Sequence, residues 1–519
     1  MNDKTGASRG PRRAGALAVV AAVAVLAAAC GVHVSVGGGS ASTGSATYRA
    51  NLAYAQCMRT HGLPSFPDPN PSRNFSFSGQ PVGNDNSPPA RANDACKHLL
   101  PRGSTGTGGA TAPAPTSPPG AVSADCLALR SPCYTPRQLR VAYGIQPLLD
   151  RGITGRRQTV VLPEFPPPAT GSPPAVTNIQ QDLARFDSVF GLPAARLQIV
   201  NTLAHAASPW LATLEEVEDT EIVHAVAPDA AIREVLIPSA ATASPGRVSA
   251  AVLAALRLGL AQGGVISLSA GAGEQCFTPA VAAQVNSVLQ AAQRERVTVV
   301  ISTGDNGAGI TPCPGTSISV KGVDLPASDP LTLAAGGTSL QTSRATGAYT
   351  GETAWNIPPP AGGPSSKASG GGFSRLFPRP AYQDGTAGIG ATRGVPDVAA
   401  DADPRTGMAL AMSDGGQNYI LIGGGGASAA APLWAAVIAL ADQYAGRHLG
   451  FVNPALYQIG RSPYHHQAFH DITTGTNAVK FPTQTITGYQ AAPGWDPVTG
   501  WGSPNAQALV PLLARYASP

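Results

Sequence analysis

Charge is what this sequence has least of. Only 12% of its 519 residues are Asp, Glu, Lys or Arg, about half of the roughly 25% usual in soluble domains. The imbalance is small too, 34 basic against 30 acidic residues, for a formal net charge of +4. Much of that sits in the first 29 residues, with Lys4, Arg9, Arg12 and Arg13 against Asp3, so a chain starting at Cys30 carries about +1. A nucleic-acid binder needs a basic face; that class is excluded, and no nucleic-acid partner is expected. Long apolar runs are also scarce. The one candidate, residues 14–29, is uncharged but holds sixteen residues, fewer than the about 20 that span a bilayer.

Preceded by arginines, that run reads as an export signal over 1–29. Ala27, Ala28 and Ala29 lead into Cys30, as in a bacterial lipoprotein cleavage box, although Leu26 stands one place too early. Lipidation of Cys30 is expected and would be the sole tie to a membrane; ordinary cleavage nearby, giving a free secreted protein, is the alternative. Cysteines number seven, none in a CxxC arrangement that favours zinc or redox chemistry. With Cys30 set aside they form three sequence-local pairs, Cys57 with Cys96, Cys126 with Cys133, and Cys276 with Cys313. An even remainder in an exported chain reads as disulfides.

Abundant instead are apolar residues (43%), Gly (60) and Pro (49), enough for a large core and many turns. Residues 30–46 read as a flexible tether and 47–102 as a small helical module stapled by Cys57–Cys96, a core too small to stand alone. Residues 103–125 form a Pro/Gly/Ser/Thr-rich linker, and 126–519 one large domain. Its apolar runs at 158–165, 231–238, 263–270 and 297–303 predict buried parallel strands. They alternate with helical stretches, including one over 209–226, so the fold class is α/β with a mostly parallel sheet covered on both faces.

Three features carry chemistry. In the predicted helix WLATLEEVEDTEIVHAV, Leu211, Glu215, Asp219, Ile222 and Val226 share one stripe, which puts two carboxylates i, i+4 on an apolar face. Such a pair repels, is poorly hydrated and should hold a proton above its ordinary range. Glu216, Thr220 and Glu221 are expected to face solvent, and taken alone the pair also suits the charged edge of a surface helix. In GGGGASAAAPLWAAVIALADQYAG (423–446) a glycine turn delivers Ser428 to the start of an apolar helix, with Pro432 expected in its first turn and Gly446 as its stop. The positive helix end suits a nucleophile; equally, Ser428 suits a cap. In VVISTGDNGAG (299–309) Asp305 follows a buried strand, where active sites of parallel sheets gather, though an Asx-turn also fits.

With CYTPRQLRVAYGI, FGLP, ISTGDNG, LPASDP, ETAWN, SGGGFS, RGVPDVAADADP, GGASAAAPLWAA and GWDPVTGWGSP in this order across 126–519, the domain resembles the sedolisins. These are serine-carboxyl peptidases of subtilisin-like, doubly wound fold. The resemblance implies Ser428 as nucleophile, Glu215 as general base, Asp219 as its orienting partner and Asp305 as a protonated oxyanion-hole donor. It implies Glu164 in an extended proton network, and Ser269 and Gly271 where the substrate backbone pairs. It also implies one Ca²⁺ held by Asp471, Asp496 and the carbonyls of Ile472, Ala492 and Gly494. The implied activity is acid-active endopeptidase cleavage of peptides or unfolded proteins by an exported monomer. Ala427 replaces the Thr before the nucleophile, Ala270 a Trp, and Ala492 a Gly. Ala427, and the absence of a long prosegment ahead of the domain, keep a catalytically silent surface-binding protein as the rival. A subtilisin-type histidine base is disfavoured, because His205 and His224 lack its His-Gly-Thr setting.

Overall fold

A computed structural model describes residues 53, 56–57, 59–60 and 96, and 133–517 apart from 166–176, 203–210, 238–244, 314–319, 360–365, 414–418 and 483. The expected signal, Cys30, tether, linker and Cys126 lie outside the described residues. The chain divides into two compact units. In the smaller, Cys57 on a helix is bridged to Cys96. In the larger, Cys276 is bridged to Cys313, and Cys133 is also disulfide-bonded.

The larger unit is built on an eight-stranded sheet. Its strands are β1 (Thr159–Glu164), β2 (Arg196–Asn201), β3 (Ala231–Leu236), β4 (Val265–Leu268), β5 (Thr298–Ser302), β6 (Leu333–Thr342), β7 (Tyr349–Ala354) and β8 (Val398–Asp401). The order is β7-β6-β5-β4-β1-β3-β2, with β8 also paired to β6. All neighbours are parallel except β6 with β7. The four predicted strands are β1, β3, β4 and β5, short Val/Ile/Leu runs that pack on both faces, as covered parallel strands must.

Residue alternation divides the core between those faces. Val160 and Leu162 of β1 join one apolar cluster, and Val161 between them joins the other. The second face is covered by α3 (Pro245–Leu260) and α4 (Pro279–Arg294), the first by α2 (Leu214–Val226) and α5 (Ala427–Ala445), with α1 (Ile179–Phe190) and α6 (Ala506–Tyr516) packed against these two. Helix α5 is buried on all sides from Ala427 to Asp442, the environment its uninterrupted apolar sequence requires. Among the described residues no helix is long and apolar enough to cross a membrane.

Two local expectations need correction. Helix α2 begins at Leu214, because Leu211 and Ala212 pair with Thr177 and Asn178 in a two-stranded ladder. Pro432 lies inside α5, beyond the first turn, since the helix already starts at Ala427.

Candidate active site

The sheet brings the carboxyl ends of its central strands to one place. Glu164 is the last residue of β1, Ser269 follows β4 directly, and Asp305 lies just beyond β5. Helix α2, packed against α5, supplies Glu215 and Asp219, and the amino end of α5 supplies Ser428.

Glu215 interacts with Ser428. Burial raises the Glu215 carboxyl above its ordinary range, a hydrogen bond with the Ser428 side chain opposes the rise, and the nearby Asp305 carboxylate adds to it. Asp219 is fully buried and accepts a hydrogen bond from Ser269 Oγ at 2.8 Å. Burial, and next the charge of Glu215, push it well up, while hydrogen bonds with Ser269 and Glu164 hold it down. Glu164 is raised for the same reasons, burial first and Asp219 second. These side chains form a chain of contacts, Ser428–Glu215 at one end and Asp219–Glu164 at the other, in which the carboxyls must share protons.

Asp305 reaches the Ser428 turn. Its Oδ1 accepts the Ala427 N–H at 2.9 Å. Gly426, the residue before, has φ +97°, and a Cβ there would stand 3.3 Å from Asp305 Oδ2, so a side chain at 426 would be strained and crowd the carboxyl. The Asp305 loop is held by main chain. The Gly370 N–H donates to Gly304 O (2.8 Å), Ala368 N–H to Asp305 O (3.0 Å) and Gly307 N–H to Ala368 O (3.0 Å). Gly370 lies so close that a Cβ would meet Thr303 O at 1.9 Å.

Sequence reasoning missed several carboxyls. Glu216 and Glu221, expected in solvent together with Thr220, are all buried, because α2 is enclosed by α1, α5 and the sheet. Glu216 closes a capping box with Thr213, and Glu221 accepts the Ala411 N–H at 2.8 Å. Glu218, also buried, accepts a hydrogen bond from the Gly425 N–H in the turn that precedes Ser428, and Glu234 of β3 is buried beside Glu216 and Asp219. The signal was present: five acids between 215 and 221 in a chain so poor in charge. His224 is committed elsewhere, with Nε2 2.8 Å from Asp187 Oδ1, and His205 lies outside the described residues.

The two carboxylates of the expected calcium set meet one loop. Asp471 accepts the Gly494 N–H on both oxygens (3.2 and 3.0 Å). Asp496 accepts Ala492 N–H (3.2 Å), Val498 N–H (2.8 Å), Thr499 N–H (3.0 Å) and the Thr499 hydroxyl (2.9 Å). Two carboxylates thus meet one loop, 492–494, and carboxylate oxygen is the donor a hard cation prefers. These two residues fit the ion.

No protein-family model matches the chain. It is similar to kumamolisin of Bacillus sp. (strain MN-32), 38% identical over 311 residues that cover 58% of this chain and 51% of that protein. It is similar to human tripeptidyl-peptidase 1, 31% over 276 residues (48% and 43%), and to sedolisin of Pseudomonas sp. (strain 101), 34% over 220 residues (42% and 35%). The chain spans about half the length, or less, of the curated relatives it matches. Among solved structures, Pseudomonas sedolisin complexed with pseudo-iodotyrostatin superposes with a TM-score of 0.59 at 24% identity, over 75% of this chain and all of that one. The fold is therefore sedolisin-like.

Proposed function

We propose that the chain is a serine-carboxyl peptidase of the sedolisin family, and that Ser428, Glu215, Asp219 and Asp305 are its catalytic groups. The observation that carries the reading is the interaction of Ser428 with a partly buried Glu215, backed by Asp219 and faced by Asp305. Ser428 Oγ attacks the peptide carbonyl carbon while Glu215 takes the hydroxyl proton. Asp305, carrying a proton, donates to the oxygen as it becomes negative, and loss of such a donor costs on the order of 100-fold or more in rate. As the C–N bond breaks, Glu215 returns the proton to the departing amine. Water then repeats the sequence on the acyl-enzyme and frees Ser428. Asp219 orients Glu215 and is itself fixed by Ser269.

The reading includes action below neutral pH on peptides or unfolded proteins, with the backbone at Ser269 and Gly271 pairing with substrate. Calcium, held by Asp471, Asp496 and the carbonyls of Ile472, Ala492 and Gly494, would tie the 471 and 492–496 loops together. Export, a lipid on Cys30, the 47–102 module and a monomeric state complete the reading. Hydrolysis of a denatured protein across pH 2 to 8, with calcium present, tests it. Wild type should cleave below neutral, and Ser428→Ala and Glu215→Ala should not; no cleavage at any pH would favour the silent binding protein.

A further inference from the structure

We propose that the carboxyl-terminal part of the large unit holds a second metal site, in which His465, His466 and Asp471 bind one borderline-soft divalent ion, with Zn²⁺ as the probe. One nitrogen of each imidazole and a carboxylate oxygen of Asp471 lie within 4.8 Å of one another. Two imidazoles and a carboxylate suit zinc or cobalt, and suit calcium poorly. In a tetrahedral zinc site ligand atoms stand about 3.4 Å apart, so the group closes by roughly 1.4 Å. His466 is exposed on the short helix His465–Ala468 and supplies that movement by turning its side chain.

The second observation is His465 itself. It is 8% exposed, yet its Nε2 is buried without a hydrogen-bond partner, a state that costs free energy and that a metal ion would relieve. Its ring is held edge-on to Trp501 at 5.3 Å and against Phe469 at 5.9 Å. Asp471 is aimed by the Gly494 N–H, the kind of outer contact that orients a ligand. Three protein ligands leave a fourth position for water.

The site shares Asp471 with the calcium set but rests on neither the calcium nor the peptidase reading. The test is a Zn²⁺ titration of the full chain by calorimetry, in saturating calcium, with Co²⁺ absorption as a report on coordination. Wild type should take up one more zinc than His466→Ala, or bind it at least about ten-fold more tightly, and show the intense visible bands of four-coordinate cobalt that His466→Ala lacks. His466 is exposed, so this variant should melt at the wild-type temperature without zinc. Asp496→Asn should lose calcium and keep the zinc isotherm. Equal zinc stoichiometry and affinity in wild type and His466→Ala would overturn the proposal, as would zinc lost together with calcium in Asp496→Asn.

Discussion

Pro432 stands four residues after Ser428 on the same helix, and it has no N–H to give to the Ser428 carbonyl. That carbonyl lies 3.4 Å from Ser269 Oγ, the hydroxyl that bonds Asp219. The missing helical bond thus opens the Ser428 carbonyl to the hydroxyl that bonds Asp219. Proline inside a helix costs about 3 kcal/mol. Pro432→Ala should therefore raise Tm, because the new N–H can close onto Ser428, and lower kcat with KM little changed. A calorimetric scan beside steady-state kinetics checks both; a lower Tm with unchanged kcat would refute the account.

Stability should fall as pH rises. Glu216 is pushed from 4.5 up to about 8, chiefly by burial, so the folded state binds its proton more tightly than the unfolded chain does. Its stabilisation is complete below about 4.5 and is lost as pH climbs through about 8. Glu164, Glu218, Glu221 and Glu234 shift in the same direction, burial again leading. Tm measured from pH 4 to 8 in saturating calcium should decline throughout, and Glu216→Gln, which keeps an oxygen for the Thr213 cap, should make the decline shallower. A Tm that rises over this range would contradict the burial argument.

Asp305 should act as a hydrogen-bond donor to the oxygen that becomes negative. Asp305→Asn keeps an N–H donor, so kcat/KM should persist at a reduced level, whereas Asp305→Ala should lose on the order of 100-fold or more. Steady-state kinetics of the three proteins decide this; equal rates for the Asn and Ala variants would place the donor elsewhere.

Calcium removal should cost stability before chemistry. A ligand present at 100 times its Kd stabilises the folded state by about 2.7 kcal/mol, so chelation should lower Tm, and Asp496→Asn should reproduce the shift and be insensitive to chelator. Unchanged Tm on chelation would exclude the 471/496 site as a calcium site.

Strand runs were legible because buried parallel strands advertise themselves: β1, β3, β4 and β5 fall inside their apolar segments. That Glu215, Asp219, Ser428 and Asp305 lie near one another was expected from motif order. Burial of Glu216, Glu218 and Glu221 was not, because a helical stripe assumes one wet face, and α2 has none. The register that sets Glu234 opposite Leu162 of β1 is likewise a tertiary fact, as is the reach of Ser269 back to Asp219.

The Asp305 loop is laced to 368–371 through amides and carbonyls alone, groups that neither gain nor lose protons between pH 2 and 8. The main-chain ladder itself is therefore indifferent to acidity, whatever the carboxyls around it do. Screening for altered working pH belongs on those side chains, and glycines 304, 307 and 370, which build the ladder, are poor places to mutate.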